Sequence, residues 1–221
     1  MTSTKTTAKK ATSKKAATAN VETVTTSSGA TIAQAFIVSA TARMIDAEKC
    51  KTIITDLSAF NDASFSRQLD AVIDNGYMTS EALTTLAHDL AVTDKSDSRF
   101  IGLKVITKIR QALYALANNR KSFFDGYTNS ILSNLVRLQE LTNKGALQSL
   151  SKSIEYDELN QVSDIRRVID CSPSTASTQA SSSRMMLRAL GLANVQKRKN
   201  GDVLTMNESS GSRAVVALYQ I

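Results

Sequence analysis

The sequence predicts a mainly α-helical protein, a helical bundle followed by a smaller C-terminal unit that carries an antiparallel β-hairpin. Three observations predict it. A single proline, Pro173, and only eight glycines in 221 residues leave long uninterrupted segments, which favour helix. Apolar residues recur three or four apart through the middle of the chain, the period of one face of a helix. Near the C-terminus, Asn200-Gly201 sits between "NVQKRK" and "DVLTM", and this dipeptide supplies two positive-φ residues to a tight hairpin turn.

The chain opens on residues 1–29, which are Thr, Ser, Ala and Lys with almost no bulky apolar side chain. Such a segment cannot bury enough surface to offset its ordering entropy, so it reads as a disordered basic tail. Its Lys-Ala-Thr composition is similar to the tails of linker-histone-like and bacterial nucleoid proteins. Lys5, Lys9, Lys10, Lys14 and Lys15 are its candidate nonspecific phosphate contacts.

Residues 30–143 read as a helical scaffold or dimerisation domain. Ile32, Phe36, Ala40 and Met44 recur four apart, and Ile53, Ile54 and Leu57 continue the run. Phe65, Leu69, Val72 and Ile73 mark another helix, stopped by Asn75-Gly76. Thr79 or Ser80 then caps a helix that turns Leu83, Leu86 and Leu90 inward. Ile101, Val105, Ile109, Ala112 and Leu116 form a further stripe, and Ile131, Leu135, Leu138 and Leu141 the last. Five or six amphipathic helices with short connections predict a bundle.

Residues 144–221 carry the sharper signal. "ALQSLSKSI" and "YDELNQVSDIRRVID" read as helices, the second ending near Asp170. Ser172 then stands at an N-cap position with Pro173 behind it, where a missing N–H costs nothing. The helix that follows runs to about Leu190, with Gly191 as its C′ residue. On a helical wheel Ala176, Ala180, Ser183, Leu187 and Leu190 fall on the core side. Ser177, Ser181, Arg184 and Arg188 fall on a neighbouring outward face, slim and hydroxyl-rich at its start and cationic at its end. Centring the next hairpin on Asn200-Gly201 opposes Lys199 to Asp202, Lys197 to Leu204 and Val195 to Met206, and crowds Lys197, Arg198 and Lys199 at the tip. "AVVALYQI" reads as a final strand.

Charge follows the same division. The net charge is +7, with +4 in residues 1–28, +4 in residues 171–221 and −1 between them. Excess cation at both ends of a neutral scaffold points to polyanion contact there. The longest apolar runs fall far short of the ~20 residues a bilayer span needs, and the basic N-terminus lacks the apolar stretch of a secretory signal. Cys50 and Cys171 are therefore expected as reduced thiols, in the cytoplasm (the nucleoid) or the nucleus.

Enzyme chemistry finds no constellation, so none is expected. His88 is the one histidine, and there is no Cys-x-x-Cys, no Walker-type loop and no GxGxxG. Asp70/Asp74 and Glu155/Asp157/Glu158 read as solvated helix and cap residues, not as metal ligands. Lysines flank Cys50, but no base is identifiable near it. "RKSFFDGY", Arg120 to Tyr127, reads as helix-junction core in preference to a stacking platform for single strands. No metal or cofactor is expected.

Helix, tight turn, helix with a Ser/Thr-rich start, then a basic hairpin: over roughly residues 145–221 the chain resembles the winged helix-turn-helix DNA-binding family. The family has a short strand between its first two helices, and "SIEY", Ser153 to Tyr156, is the segment that would supply it. The resemblance implies that the helix after the turn enters the major groove of double-stranded DNA and that the hairpin contacts phosphate or the minor groove. Ser177, Gln179, Ser181, Arg184 and Arg188 would then lie on or beside the reading face, with Lys197, Arg198 and Lys199 on the wing. The expected protein is a non-enzymatic, homodimeric transcriptional regulator. Two alternatives stand beside it: a DNA-compacting or virion structural protein acting through the tail, and a winged-helix adaptor docking on a polymerase or another assembly.

Overall fold

The structure is a computed structural model, and it describes residues 28–44, 51–154, 165–167, 169–199 and 201–220. It is mainly helical with one small antiparallel sheet, the predicted class. Residues 28–138 contain α1 (Ser28–Met44), α2 (Lys51–Ser58), α3 (Phe65–Asp74), α4 (Ser80–Leu90), α5 (Leu103–Ala117) and α6 (Gly126–Leu138). Residues 1–27 of the basic tail lie outside the described residues, as does Cys50, while Ser28 and Gly29, expected as the end of that disordered tail, instead open α1.

The apolar stripes become the core. Ile32, Phe36 and Ala40 of α1 are buried as their spacing predicts. Phe36 stacks on Phe60 with ring centroids 5.5 Å apart, and Phe65 meets Phe60 edge-on at 5.2 Å. The start of α1 comes so close to α3 that the Gly29 N–H bonds Asp70 Oδ1 at 2.8 Å, and a Cβ at Gly29 would fall 2.4 Å from the Ser66 carbonyl oxygen. Asp70 is thus a cap, as its sequence context suggests. Arg43, 1% exposed, donates from Nη1 to the carbonyls of Leu90 and Val92 at 3.1 and 2.8 Å, satisfying the C-terminal end of α4. Thr79 caps the start of α4 by accepting from the Ala82 N–H. In "RKSFFDGY", Phe124 is buried and Phe123 stacks on Tyr114 at 5.2 Å, which places this stretch in a helix junction.

After α6 the chain forms β1 (Glu140–Thr142), α7 (Asn143–Gln148), α8 (Pro173–Ala189), β2 (Ala193–Arg198), β3 (Gly201–Met206) and α9 (Ser210–Gln220). The three strands are antiparallel in the order β1-β3-β2. Strand β1 thereby ties residues 140–142 to the hairpin across the expected boundary at 143–144, and α5 and α6 both pack on α8.

Four expectations are corrected. The strand before α7 is Glu140–Thr142; Ser153 and Ile154 of "SIEY" are not strand, and Glu155 and Tyr156 lie outside the described residues. A three-residue strand directly after a helix has no room for an alternating pattern, which hid it. Second, the described residues of 165–171 are not helical, so the helix expected to end near Asp170 does not reach there; residues 155–164 lie outside the described residues. Third, the hairpin pairs Lys197 with Asp202, Val195 with Leu204 and Ala193 with Met206, so Arg198 faces Gly201, which at φ +108° opens β3; Asn200 lies outside the described residues. The shift is by two residues, which keeps every side chain on its expected face. Fourth, residues 214–220 of "AVVALYQI" are not strand but most of α9, and Ile221 lies outside the described residues. The Val-Val pair suggested β-structure, yet Gly211, Val215 and Leu218 are buried at helical spacing and the Ser209 hydroxyl accepts from the Ser212 N–H at 3.1 Å as an N-cap.

Although α7 and α8 are far apart in sequence, the Cys171 N–H donates to the Leu150 carbonyl at 2.9 Å. The excursion between them is thus closed at its base, where a tight turn was expected. Buried Asn134 of α6 grips its returning limb through both backbone groups of Arg166, donating to the carbonyl at 2.6 Å and accepting from the N–H at 2.9 Å.

Candidate nucleic-acid interface

Helix α8 forms as its sequence directs. The Ser172 hydroxyl accepts from the Thr175 N–H at 3.3 Å, Pro173 occupies the first turn, and Gly191 beyond the end takes φ +65°. Ala176, Ala180, Ser183, Leu187 and Leu190 are all buried, the face expected. Small residues at the first three positions let α8 lie close to its neighbours, while Leu187 and Leu190 fill the wider space beyond.

Buried Ser183 is not idle. Its hydroxyl lies 3.0 Å from Thr128 Oγ1, which lies 3.4 Å from Lys108 Nζ, and that ammonium pairs with Asp125 Oδ1 at 2.8 Å. Asp125 also caps α6 by accepting from the Thr128 N–H at 3.1 Å. Burial opposes the charge on Asp125, but Lys108 and these hydrogen bonds outweigh it and hold the carboxyl below its usual range. Burial pulls the Lys108 ammonium down, with Asp125 opposing. A polar chain thus fixes α8 against α5 and α6.

On the outer face, Ser177, Ser181 and Arg188 are exposed, and Gln179 is half-buried. Ser174 and Thr178 are exposed beside them, two hydroxyls the wheel did not single out, although Thr178 Oγ1 donates to the Ser174 carbonyl at 3.3 Å. Met185, also exposed, interrupts the polar stripe. Arg188 and Met185 line a cleft of about 360 Å³ with Asp89, Arg99 and Asn194.

The basic residues divide into two groups. Arg184 is turned toward the hairpin, its side chain 19% exposed and its Nη2 3.9 Å from Asp202 Oδ2; burial lowers its pKa and Asp202 opposes that. Arg198 makes a two-pronged bond to Glu140, at 3.1 and 2.8 Å, and Glu140 raises its pKa. Lys197 and Lys199 are exposed on the hairpin. The structure therefore brings Ser177, Ser181, Arg188, Lys197 and Lys199 to the surface, and commits Arg184 and Arg198 to carboxylates. Sequence reasoning missed those partners because both come from across the sheet or from another element, at no fixed spacing. Lys5, Lys9, Lys10, Lys14 and Lys15 lie outside the described residues.

Among the described residues there is no cluster of three His, Cys, Asp or Glu side chains suited to a metal ion, and no helix long and apolar enough to cross a membrane. His88 is exposed in the last turn of α4. Compared with protein-family models, with curated proteins and with solved structures, the chain finds no match.

Proposed function

We propose that the protein is a non-enzymatic, double-stranded DNA-binding regulator of the winged-helix kind, with α8 reading the major groove and the β2–β3 hairpin holding phosphate. The observation that carries this reading is the exposed face of α8, on which Ser177, Ser181 and Arg188 share one surface, followed directly by a hairpin with exposed Lys197 and Lys199. Support comes also from element order: β1 stands between α6 and α7, where the winged-helix family has its short strand, and the hairpin follows α8. In this arrangement the winged-helix unit is larger than residues 145–221 alone and takes in α6 and β1.

The chemistry follows from the side chains. Hydroxyls at the slim start of α8 permit close approach and accept or donate to base edges or phosphate. Arg188 offers a guanidinium that can bond guanine O6 and N7 together, at ~1–3 kcal/mol of discrimination. Lys197 and Lys199 supply salt-dependent attraction, and the basic tail adds to it. Arg184 braces the hairpin through Asp202 and is not itself the reader. The helical bundle serves as scaffold or dimerisation unit, and transcriptional regulation is the use proposed.

Fluorescence anisotropy with duplexes, comparing the wild type with Arg188→Ala and with Lys197→Glu/Lys199→Glu, tests the reading. Arg188→Ala lowers affinity for preferred duplexes selectively. The hairpin variant weakens all duplexes and flattens the plot of log K against log salt by about 2. Unchanged affinity in both variants overturns the proposal. A second reading, a winged-helix adaptor that docks on protein, draws on exposed Met185 in the middle of α8; stoichiometric capture of a protein partner by a chain that heparin does not retain would favour it.

A further inference from the structure

The geometry points to a second interaction surface, a groove between α6 and α9 that accepts an acidic amphipathic helix of a partner protein. One wall is the C-terminal turn of α6, with Ser133, Val136 and Arg137 at i, i+3 and i+4. The other is the outer stripe of α9, with Arg213, Val216, Ala217 and Gln220 at helical spacing. Two adjoining clefts of about 400 and 540 Å³ make up the groove and share Gln139 and Gln220.

Charge selects the occupant. Arg137, Arg166 and Arg213 line the two clefts, and Glu208 is the one carboxylate among their lining residues. Two of the arginines are held in place by one side chain. Asn134 fixes the backbone of Arg166 at both its N–H and its carbonyl, and Asn134 Oδ1 accepts from Arg137 Nη2 at 3.2 Å. Arg213 is anchored at the other end, its Nη1 donating to the Glu208 carbonyl at 2.5 Å. The guanidinium groups of Arg137 and Arg213, placed in advance, lose less entropy on meeting carboxylates, and Arg166 adds a third cation on a fixed backbone. Between them Met206, Val216 and Ala217 supply an apolar floor. Cationic rim and apolar floor together match a helix with acidic and apolar faces.

The groove is separate from the proposed DNA-facing surface. Met206 ends β3, and the hairpin turn precedes Gly201 at the strand's other end, about 17 Å away at ~3.3 Å per residue. A chain built this way holds duplex with one end of its sheet and a protein helix with the other.

Anisotropy of a fluorescein-labelled amphipathic Glu/Leu peptide, titrated with the full-length chain, tests this. Arg166→Glu/Arg213→Glu, both at exposed positions, lowers peptide affinity tenfold or more and leaves circular dichroism and duplex affinity unchanged. Ala217→Asp, also exposed, does the same through the floor, and a peptide with Ser in place of Leu binds at least tenfold more weakly. Lys197→Glu/Lys199→Glu leaves peptide affinity intact. Equal affinity in the arginine variant, or an equal loss from the hairpin variant, overturns the inference. So do two reassignments: self-association of the full chain abolished by Ala217→Asp, which gives the groove to a second copy, and tighter peptide binding after Glu155, Asp157 and Glu158 are changed to Gln, which gives it to the chain's own acidic segment. Duplex binding is read in the same samples, so failure here stays distinct from failure of the DNA reading.

Discussion

Arg184 on α8 faces Asp202 at the base of β3, with Nη2 3.9 Å from Oδ2, so the helix and the hairpin are coupled by charge. The angle between a reading helix and its wing decides whether both meet one duplex, and this pair spans that angle. Arg184 is half-buried but the Asp202 side chain is exposed, which limits the pair to about 1 kcal/mol, the upper end for a surface contact. Arg184→Ala and Asp202→Ala each lower duplex affinity severalfold, and the double variant loses no more than either single one. A thermodynamic cycle by anisotropy checks the coupling; additive losses would show two independent contacts.

The buried pair Lys108–Asp125 ties α5 to the start of α6 and, through Thr128 and Ser183, to α8. Asp125→Asn leaves an ammonium buried without its counter-charge and costs about 3 kcal/mol, read from urea midpoints at neutral pH. The pH dependence has a definite sign. The folded carboxyl titrates below its unfolded value, so its contribution is complete above about pH 5 and is lost as pH falls below about 4. The gap between wild type and Asp125→Asn is therefore constant near neutrality and narrows in acid.

Gly211 begins the docked end of α9, and a Cβ there would lie 2.0 Å from the Tyr77 carbonyl oxygen. That atom is backbone and cannot swing aside. Gly211→Ala lowers stability by about 2 kcal/mol in chemical denaturation. Gly126→Ala is the control: its Cβ would meet only the Ile169 side chain at 3.6 Å. Fewer unfolded conformations leave that variant neutral or more stable by about 0.5 kcal/mol.

Asn134 holds the limb that returns to α8. Asn134→Ala removes both bonds to Arg166 and leaves the Ser149 hydroxyl without one donor. Unfolding free energy falls by about 2 kcal/mol, and hydrogen exchange at the Arg166 amide quickens by at least tenfold. A protected Arg166 amide in that variant would contradict the clasp.

What the sequence disclosed was local. The phase of α8, its Ser172–Pro173 start, its Gly191 stop and the existence of the hairpin follow from caps, spacing and turn chemistry, which act within a few residues. What stayed hidden was long-range. Strand β1 exists because β3 pairs with it, Arg184 and Arg198 are committed because Asp202 and Glu140 arrive from other strands, and the excursion after Leu150 closes through a bond from Cys171. The pairing register moved by two residues because Gly201 takes its positive φ as the first residue of β3, a choice the Asn-Gly pair alone leaves open. In α9 the β-branched pair Val215-Val216 favours strand locally, and tertiary burial at helical spacing decides otherwise.

Selection of bound sequences from a random duplex pool, run with the full chain and with Ser177→Ala/Ser181→Ala/Arg188→Ala, tests the central claim most directly. The wild type enriches a defined site, and the triple variant still binds duplex through its lysines but enriches none. Enrichment of the same site by both proteins, or of no site by either, would contradict the claim that this face of α8 reads DNA.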